Sequence, residues 1–310
     1  MINPGGLAEA GRIETGFEGN SEKAAQSYWS ESWDRLRRNR FGMASGSIVL
    51  VLALVALLAP LIATQVTHHT FSAQDLDNNF VGPGFPGHLL GTDELGRDTL
   101  TRLVFGARVS LGVAFLTVAM SLGVGTVVGL VAGYYGGLVD DLFMRVVDVI
   151  LSFPRVFLFI LVGILFYRQS GLLTLSLTFA SVGWGGTARL VRGEVLSIRN
   201  RDFMIASRAM GAGDARLIFL HLLPNVLPVM IVTASLGVGG VILAEAAIDY
   251  LGFGIHPPEP SWGNMLSGAQ QYFVHSVWLV VLPGLCIFIT VLAANLFGNA
   301  VRDAFDPRLK

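Results

Sequence analysis

Few side chains in this sequence could do chemistry, and each has to be weighed against a plainer role. Glu245 stands inside the apolar run Val226–Tyr250. An ionisable group at membrane depth marks a translocation pathway or gate by default; a hydrogen bond to a neighbouring helix is the structural alternative. Asp249 sits near the outer end of that run and reads as interfacial. Asp93, Arg97 and Asp98 precede another apolar run, where they could tie a loop together through Arg–carboxylate pairs or meet an external protein. Trp262 and Pro257–Pro258 suggest an ordered external loop, set against a partner or a docked protein. His68 and His69 are adjacent, a spacing open to metal binding but equally to ordinary surface histidines. The single cysteine, Cys286, lies in an apolar run, so no disulfide or zinc framework is expected, and no metal. The only lysines are Lys23 and Lys310, neither within Gly-x-x-x-x-Gly-Lys-[Ser/Thr], so ATP binding by this chain is not expected. The six histidines are scattered, mostly in loops, and no catalytic constellation emerges.

The elements that position these residues are membrane helices. Of 310 residues 53% are hydrophobic and only 14% charged, against about 25% charged in a soluble domain. Mean hydropathy is +0.62. The net charge of −1 implies no bulk attraction to nucleic acid. The first 40 residues are polar, without the apolar core of a cleavable signal peptide.

A crossing needs about 20 apolar residues, and six stretches qualify: Ala44–Val66, Val109–Tyr134, Phe153 to near Arg168, Leu172–Leu190, Val226–Tyr250 and Val277–Ala300. A single span over Leu142–Tyr167 would bury Arg155 beside Pro154 in mid-bilayer, costing about 3 kcal/mol or more. An amphipathic segment, Asp140–Leu151, at the cytoplasmic surface avoids this, with Asp141, Arg145 and Asp148 spaced to make a polar face. Gly125, Gly129 and Gly133 recur every fourth residue and mark a face for close helix packing. Arg35, Arg37, Arg38 and Arg40 precede the first span and argue for a cytoplasmic N-terminus. Six crossings return the C-terminus to that side. The segment between spans four and five then also lies inside, carrying Arg189, Arg192, Arg199, Arg201, Arg208 and Arg216 with its flanks. The segment Gly252–Phe273 lies outside and has no Lys or Arg.

The inner segment "RDFMIASRAMGAGDARLIFLHLLPN", Arg201–Asn225, has the grammar of a rigid elbow. Asp202 is a candidate cap for a helix that stops at Gly211, and Phe203, Ala206 and Met210 share one face. Asp214 is a candidate cap for a second helix running to Pro224, where the fifth span starts. Such a projection suits docking to another protein or resting on anionic lipid through its arginines.

This segment resembles the "EAA" loop of ATP-binding-cassette importer permeases, through Ile205-Ala206-Ser207, Gly211 and Leu223-Pro224. Ile205 stands where the pattern has glutamate, and Ser207 where it has the second alanine. "LLGTDELGRDTLTRLVFGARVSL", "AEAAIDYLGFGIHPPEPSWGNML" and "RDAFDPR" are similar to the dipeptide/oligopeptide/nickel branch, specifically its second permease. The likeness runs from about Arg37 to the C-terminus.

The resemblance implies an all-α membrane protein of the type I importer permease fold, with six transmembrane helices and a cytoplasmic coupling helix. It implies a second, homologous permease, two ATPase subunits that bind ATP and Mg, and an extracytoplasmic solute-binding protein, in a bacterial or archaeal cytoplasmic membrane. This chain would be non-catalytic and hold no cofactor. The expected docking surface is Arg201, Asp202, Phe203, Ala206, Ser207, Arg208, Met210, Gly211, Ala212 and Gly213, with Asp93, Arg97, Asp98 and Trp262 holding the external loop or contacting the binding protein. The implied layout is a tail over 1–40, a first helix over 41–66, an external loop over 67–108, a core over 109–300 with its coupling loop at 196–223, and a tail over 301–310. The rival is a secondary transporter or channel that needs no ATPase. It would show paired intramembrane ionisable residues or an inverted repeat, and Glu245 stands alone in the sequence.

Overall fold

A computed structural model describes residues 29–165 and 171–306. The expected N-terminal tail up to residue 28, the end of the third span near Arg168 and the last four residues lie outside the described residues. Among the described residues every regular element is helical, with only two isolated β-bridges.

Helix α1 (29–38) sets Leu36 against Ala300, Val301 and Ala304 near the chain's other end. Asn39 then caps α2 (Arg40–Leu57) by accepting from the Gly42 amide. Pro60 opens the short α3 (Ala59–Ile62), which relaxes into a π-helical turn, Ala63–Thr67. The first crossing is thus a broken helix rather than one continuous span.

Helix α4 (Thr99–Tyr135) has 37 residues, about 55 Å at 1.5 Å per residue. It starts ten residues before the expected Val109 because Asp98 accepts from the Thr101 amide at 2.8 Å, and Arg102 in the first turn is neutralised by Asp93 at 3.3 Å. The polar start that looked like loop is therefore a capped helix end. Helix α5 (Gly137–Ser152) is the expected amphipathic segment, and α6 (Arg155–Leu165) leaves it at a 96° bend over Phe153–Pro154. The polar face does not pair with itself: Asp148 binds Arg189 and Asp140 takes a two-pronged bond from Arg192, so α5 is strapped to the next helix.

That helix, α7 (Leu172–Ile198), lies along α4 on its glycine face. A Cβ on Gly125 would sit 2.6 Å from Thr187 Cβ, on Gly129 2.7 Å from Val191 Cβ, and on Gly133 2.8 Å from Val195 Cβ. Only hydrogen at these positions lets the two backbones approach so closely. Helix α8 (Asp202–Ala209), the single turn α9 (Asp214–Arg216), a π-helical stretch Leu217–Leu222 and α10 (Leu223–Tyr250) follow. A short α11 (Trp262–Ala269) precedes α12 (Trp278–Phe305), which packs on α2 and α10.

By length and apolarity four helical stretches among the described residues can cross a membrane: Arg40–Leu57, Thr99–Tyr135, Asp214–Tyr250 and Trp278–Phe305. The bent pair α5–α6 makes a fifth if taken as one crossing. Helix α7 is long enough at 27 residues, but Arg189, Arg192 and Glu194 make its second half too polar to stand among them.

Candidate functional site: the elbow around α8 and the cavity between the helices

The elbow is built as two opposite surfaces. Met204 is 1% exposed and sinks into a cluster with Tyr134, Val195, Ile198, Leu217 and Val226. Around it Phe203, Ile205 and Met210 are 40%, 58% and 81% exposed, and Ala206 is exposed beside them. The helix ends in a Schellman turn: the Gly211 amide bonds Arg208 O at 3.0 Å and the Ala212 amide bonds Ser207 O at 3.1 Å. Gly211 sits at φ 86°, where a side chain would be strained. Gly213 is the N-cap residue of α9.

Both expected aspartate caps are corrected. Asp202 lies inside the first turn of α8, whose N-cap is Arg201, and no side chain caps either helix. Asp214 instead accepts from the Tyr134 hydroxyl at 2.6 Å, and Arg208 lies over the Tyr134 ring at 5.7 Å. Arg199 bonds the Gly133 carbonyl at 2.9 Å. The elbow is thereby lashed to the end of α4, a link that spacing could not reveal. The π-helical stretch leads from it straight into α10, where the Asn225 side chain donates to His221 O at 2.7 Å.

A cavity of about 580 Å³ opens between α4, α6, α7 and α10. Thr117, Ser121, Thr187 and Thr233 supply hydroxyls; Phe159, Phe179 and Gly183–Gly186–Gly237–Gly240 supply the apolar and close-approach wall. Arg155 is the charged residue among those lining it. Expected at the cytoplasmic edge, Arg155 stands level with the middle of α7: a Cβ on Gly186 would be 3.7 Å from its Nη2. The bend at Pro154 turns α6 away from α5, and Arg155 at its start lines the cavity.

Glu245 does not line this cavity. It is fully buried and accepts from Ser110 on α4 at 3.1 Å. Nor does it stand alone. Asp249, expected at the interface, is buried one turn away, where it accepts from the Ser261 hydroxyl and, at 2.7 Å, from the Ile255 amide. Ser261 and Asn264 form a reciprocal capping box on α11. Trp262 is 1% exposed and donates to Leu103 O at 3.1 Å, while its amide bonds Ser110. This polar lock joins α4, α10 and α11 and holds Glu245 away from the cavity.

The loop before α4 is equally self-contained. Arg97 bonds Asp93 and Glu94, each at 2.7 Å, Arg102 reaches Asp93 at 3.3 Å, and His88 meets Asp98 at 3.0 Å. Asp93, Arg97, Asp98 and Trp262 are all buried and hold the loop together. His69 stacks on His88 with ring centroids 4.6 Å apart. At the loop's exposed rim, Asn78 donates to Asp75 at 2.9 Å and holds that carboxyl below its ordinary pKa.

Long apolar helices, a mid-length cavity and an uncovered apolar elbow define a membrane permease built to work with other chains. The chain belongs to the family of binding-protein-dependent transport system inner membrane components, which matches residues 125–310. The N-terminal transmembrane domain of oligopeptide transport permease C matches residues 27–83. A dipeptide transport system permease protein of Alkalihalophilus pseudofirmus is 39% identical over 288 residues, 92% of each chain. One from Haemophilus influenzae is 38% identical over 90% of this chain and 95% of its own. The oligopeptide transport system permease protein of Bacillus subtilis is 32% identical over 99% and 98%. The inward-facing MetNI methionine ABC transporter shares the fold, with TM-score 0.52 at 20% identity over 67% of this chain and 97% of that one. The chain is therefore a multi-pass inner-membrane permease with the type I importer fold.

Proposed function

We propose that this chain forms half of the translocation pathway of an ATP-driven importer for di- or oligopeptides or a similar small solute. The carrying observation is the elbow: one buried methionine anchors α8, while Phe203, Ile205, Ala206 and Met210 stay uncovered on a turn too rigid to fold them away. Exposed apolar side chains on a rigid knob fit a groove in a partner. The partners are a homologous second permease, two ATPase subunits holding ATP and Mg, and an extracytoplasmic solute-binding protein; this chain catalyses nothing. Each nucleotide state shifts the permease only through its different affinity for the two conformations. The elbow, rooted by Tyr134, Asp214 and Arg199 on α4 and continuous with α10, transmits that difference to two walls of the cavity. The cavity is this subunit's share of the pathway.

The arginines of the elbow and of α1 support a cytoplasmic side for both, and the packing of α1 against the end of α12 supports the same side for both termini. In this reading 1–40 and 301–310 are cytoplasmic tails, 67–108 is the external loop, and 196–223 is the coupling loop. Peptide cargo is supported by the dipeptide and oligopeptide permeases among the relatives.

The test is Ala206→Trp in the assembled complex. The subunit should still insert, because residue 206 is exposed, but ATP-driven peptide uptake should fall by about tenfold or more as the bulky ring blocks close approach. Unchanged uptake, or uptake without the ATPases, overturns the reading.

A further inference from the structure

Four arginines of the bundle are answered by acids, whereas the one charge on the cavity wall is not. Arg97 and Arg102 meet Asp93, Arg189 meets Asp148 and Arg192 meets Asp140. Among the described residues Arg155 has no acid within ion-pair distance, although it stands level with the middle of α7. An arginine within a membrane bundle faces its interior or a water-filled cavity, or pairs with an acid or a backbone carbonyl; Arg155 lines the cavity. The wall also holds a second unanswered group: Ser121 is 8% exposed, lines the same cavity, and its Oγ finds no hydrogen-bond partner. A cation on α6 and an unpartnered hydroxyl on α4, in a space otherwise lined by threonines, glycines and apolar side chains, complement a group that is anionic and accepts hydrogen bonds.

We propose that Arg155, with Ser121 across the cavity, is an anion-recognising subsite that favours solutes whose side chains carry a carboxylate. The planar guanidinium is always charged and matches a carboxylate with two parallel N–H bonds, which an ammonium does not. The remaining wall of Phe159, Phe179, glycines and the neutral Thr117, Thr187 and Thr233 carries no charge that would select among side chains. The subsite therefore adds a charge preference to the pathway after the binding protein has delivered the cargo. This inference rests on the cavity being the pathway.

The experiment uses the complete complex in proteoliposomes, with partner permease, ATPases and binding protein. Three dipeptides with acidic, neutral and basic side chains are offered. Uptake by each variant is divided by wild-type uptake of the same dipeptide, which cancels selection by the binding protein. Arg155→Ala should lower uptake of the acidic dipeptide by about tenfold, the scale of one charge-assisted contact. The neutral dipeptide should fall less and the basic one should hold or rise. Arg155→Lys should retain only part of the uptake of the acidic dipeptide, because the charge stays while the two-pronged bond is lost, and Ser121→Ala should shift the same order by a smaller factor. Equal loss for all three dipeptides, as when Arg155 serves an acid on the partner permease, overturns the proposal, and so does no loss for any. A wild-type complex that accumulates none of them with ATP overturns both this and the transport reading, whereas charge-blind loss in a working complex overturns this alone.

Discussion

The two ends of α4 are organised on opposite principles. At its start, Asp93, Arg97, Arg102, Asp98 and His88 answer one another and are buried. Near its other end, Tyr134 holds an elbow whose apolar side chains are left in the open. A region that completes its own interactions is a clamp. A region that leaves apolar surface unanswered on a rigid frame awaits another chain. Both halves contain arginines and acids in similar numbers, so composition does not separate them; partner and burial do.

The largest expected effect breaks the clamp. Asp93→Ala removes the carboxylate shared by Arg97 and Arg102 and leaves two buried cations short of charge. Loss of one partner from a buried pair costs about 3–5 kcal/mol, so the variant should show a sharply lowered unfolding midpoint in detergent or fail to accumulate. Asp202→Ala at the exposed elbow is the control, expected within about 0.5 kcal/mol of wild type. Similar small losses for both would erase the distinction between the two ends.

Much of this arrangement was legible in the sequence. The helix–glycine–helix elbow, the glycine repeat and the amphipathic α5 follow from local spacing, which the backbone obeys directly. What spacing could not supply is partners far apart in the chain. Asp148 and Arg189 are 41 residues apart, Asp140 and Arg192 are 52, and Ser110 and Glu245 are 135. Each adds a link between helices: α5 is strapped to α7, and Glu245 is bonded to α4. Met204 was passed over for the same reason. Its neighbours on α8 display the face that the periodicity picks out, whereas its own burial depends on Tyr134, Val195 and Leu217 arriving from other helices. Asp202 and Asp214 were misread because a cap signal names a residue type but not the direction its side chain takes.

Within the elbow the contrast sharpens to two methionines six residues apart. Met204 is 1% exposed and Met210 81%. Met204→Ala should cost about 2–5 kcal/mol through the cavity it leaves, read as a lower unfolding midpoint of the purified complex. Met210→Ala should change stability by no more than about 0.5 kcal/mol, yet lower the uptake driven per ATP hydrolysed. If Met210→Ala left transport at the wild-type rate, the uncovered face would have no partner on that side, and docking would have to rest on Phe203 and Ile205.

The smallest effect lies at the rim of the clamp, where solvent enters. Asp75 is exposed, and the Asn78 side chain, then the Asp77 and Asn78 amides, hold its pKa below the ordinary 3.8. A depressed carboxylate stabilises the folded loop above the unfolded value and loses that contribution as pH falls through the folded one. Hydrogen exchange at the Asp77 and Asn78 amides, corrected for intrinsic rates, should therefore show opening as the pH is taken below 3.8. Asp75→Asn should abolish that acid dependence while barely moving the global midpoint, because water screens an exposed charge. Should the loop open at the same pH in the variant, the acid sensitivity does not belong to Asp75, and the rim would not be the clamp's weakest edge.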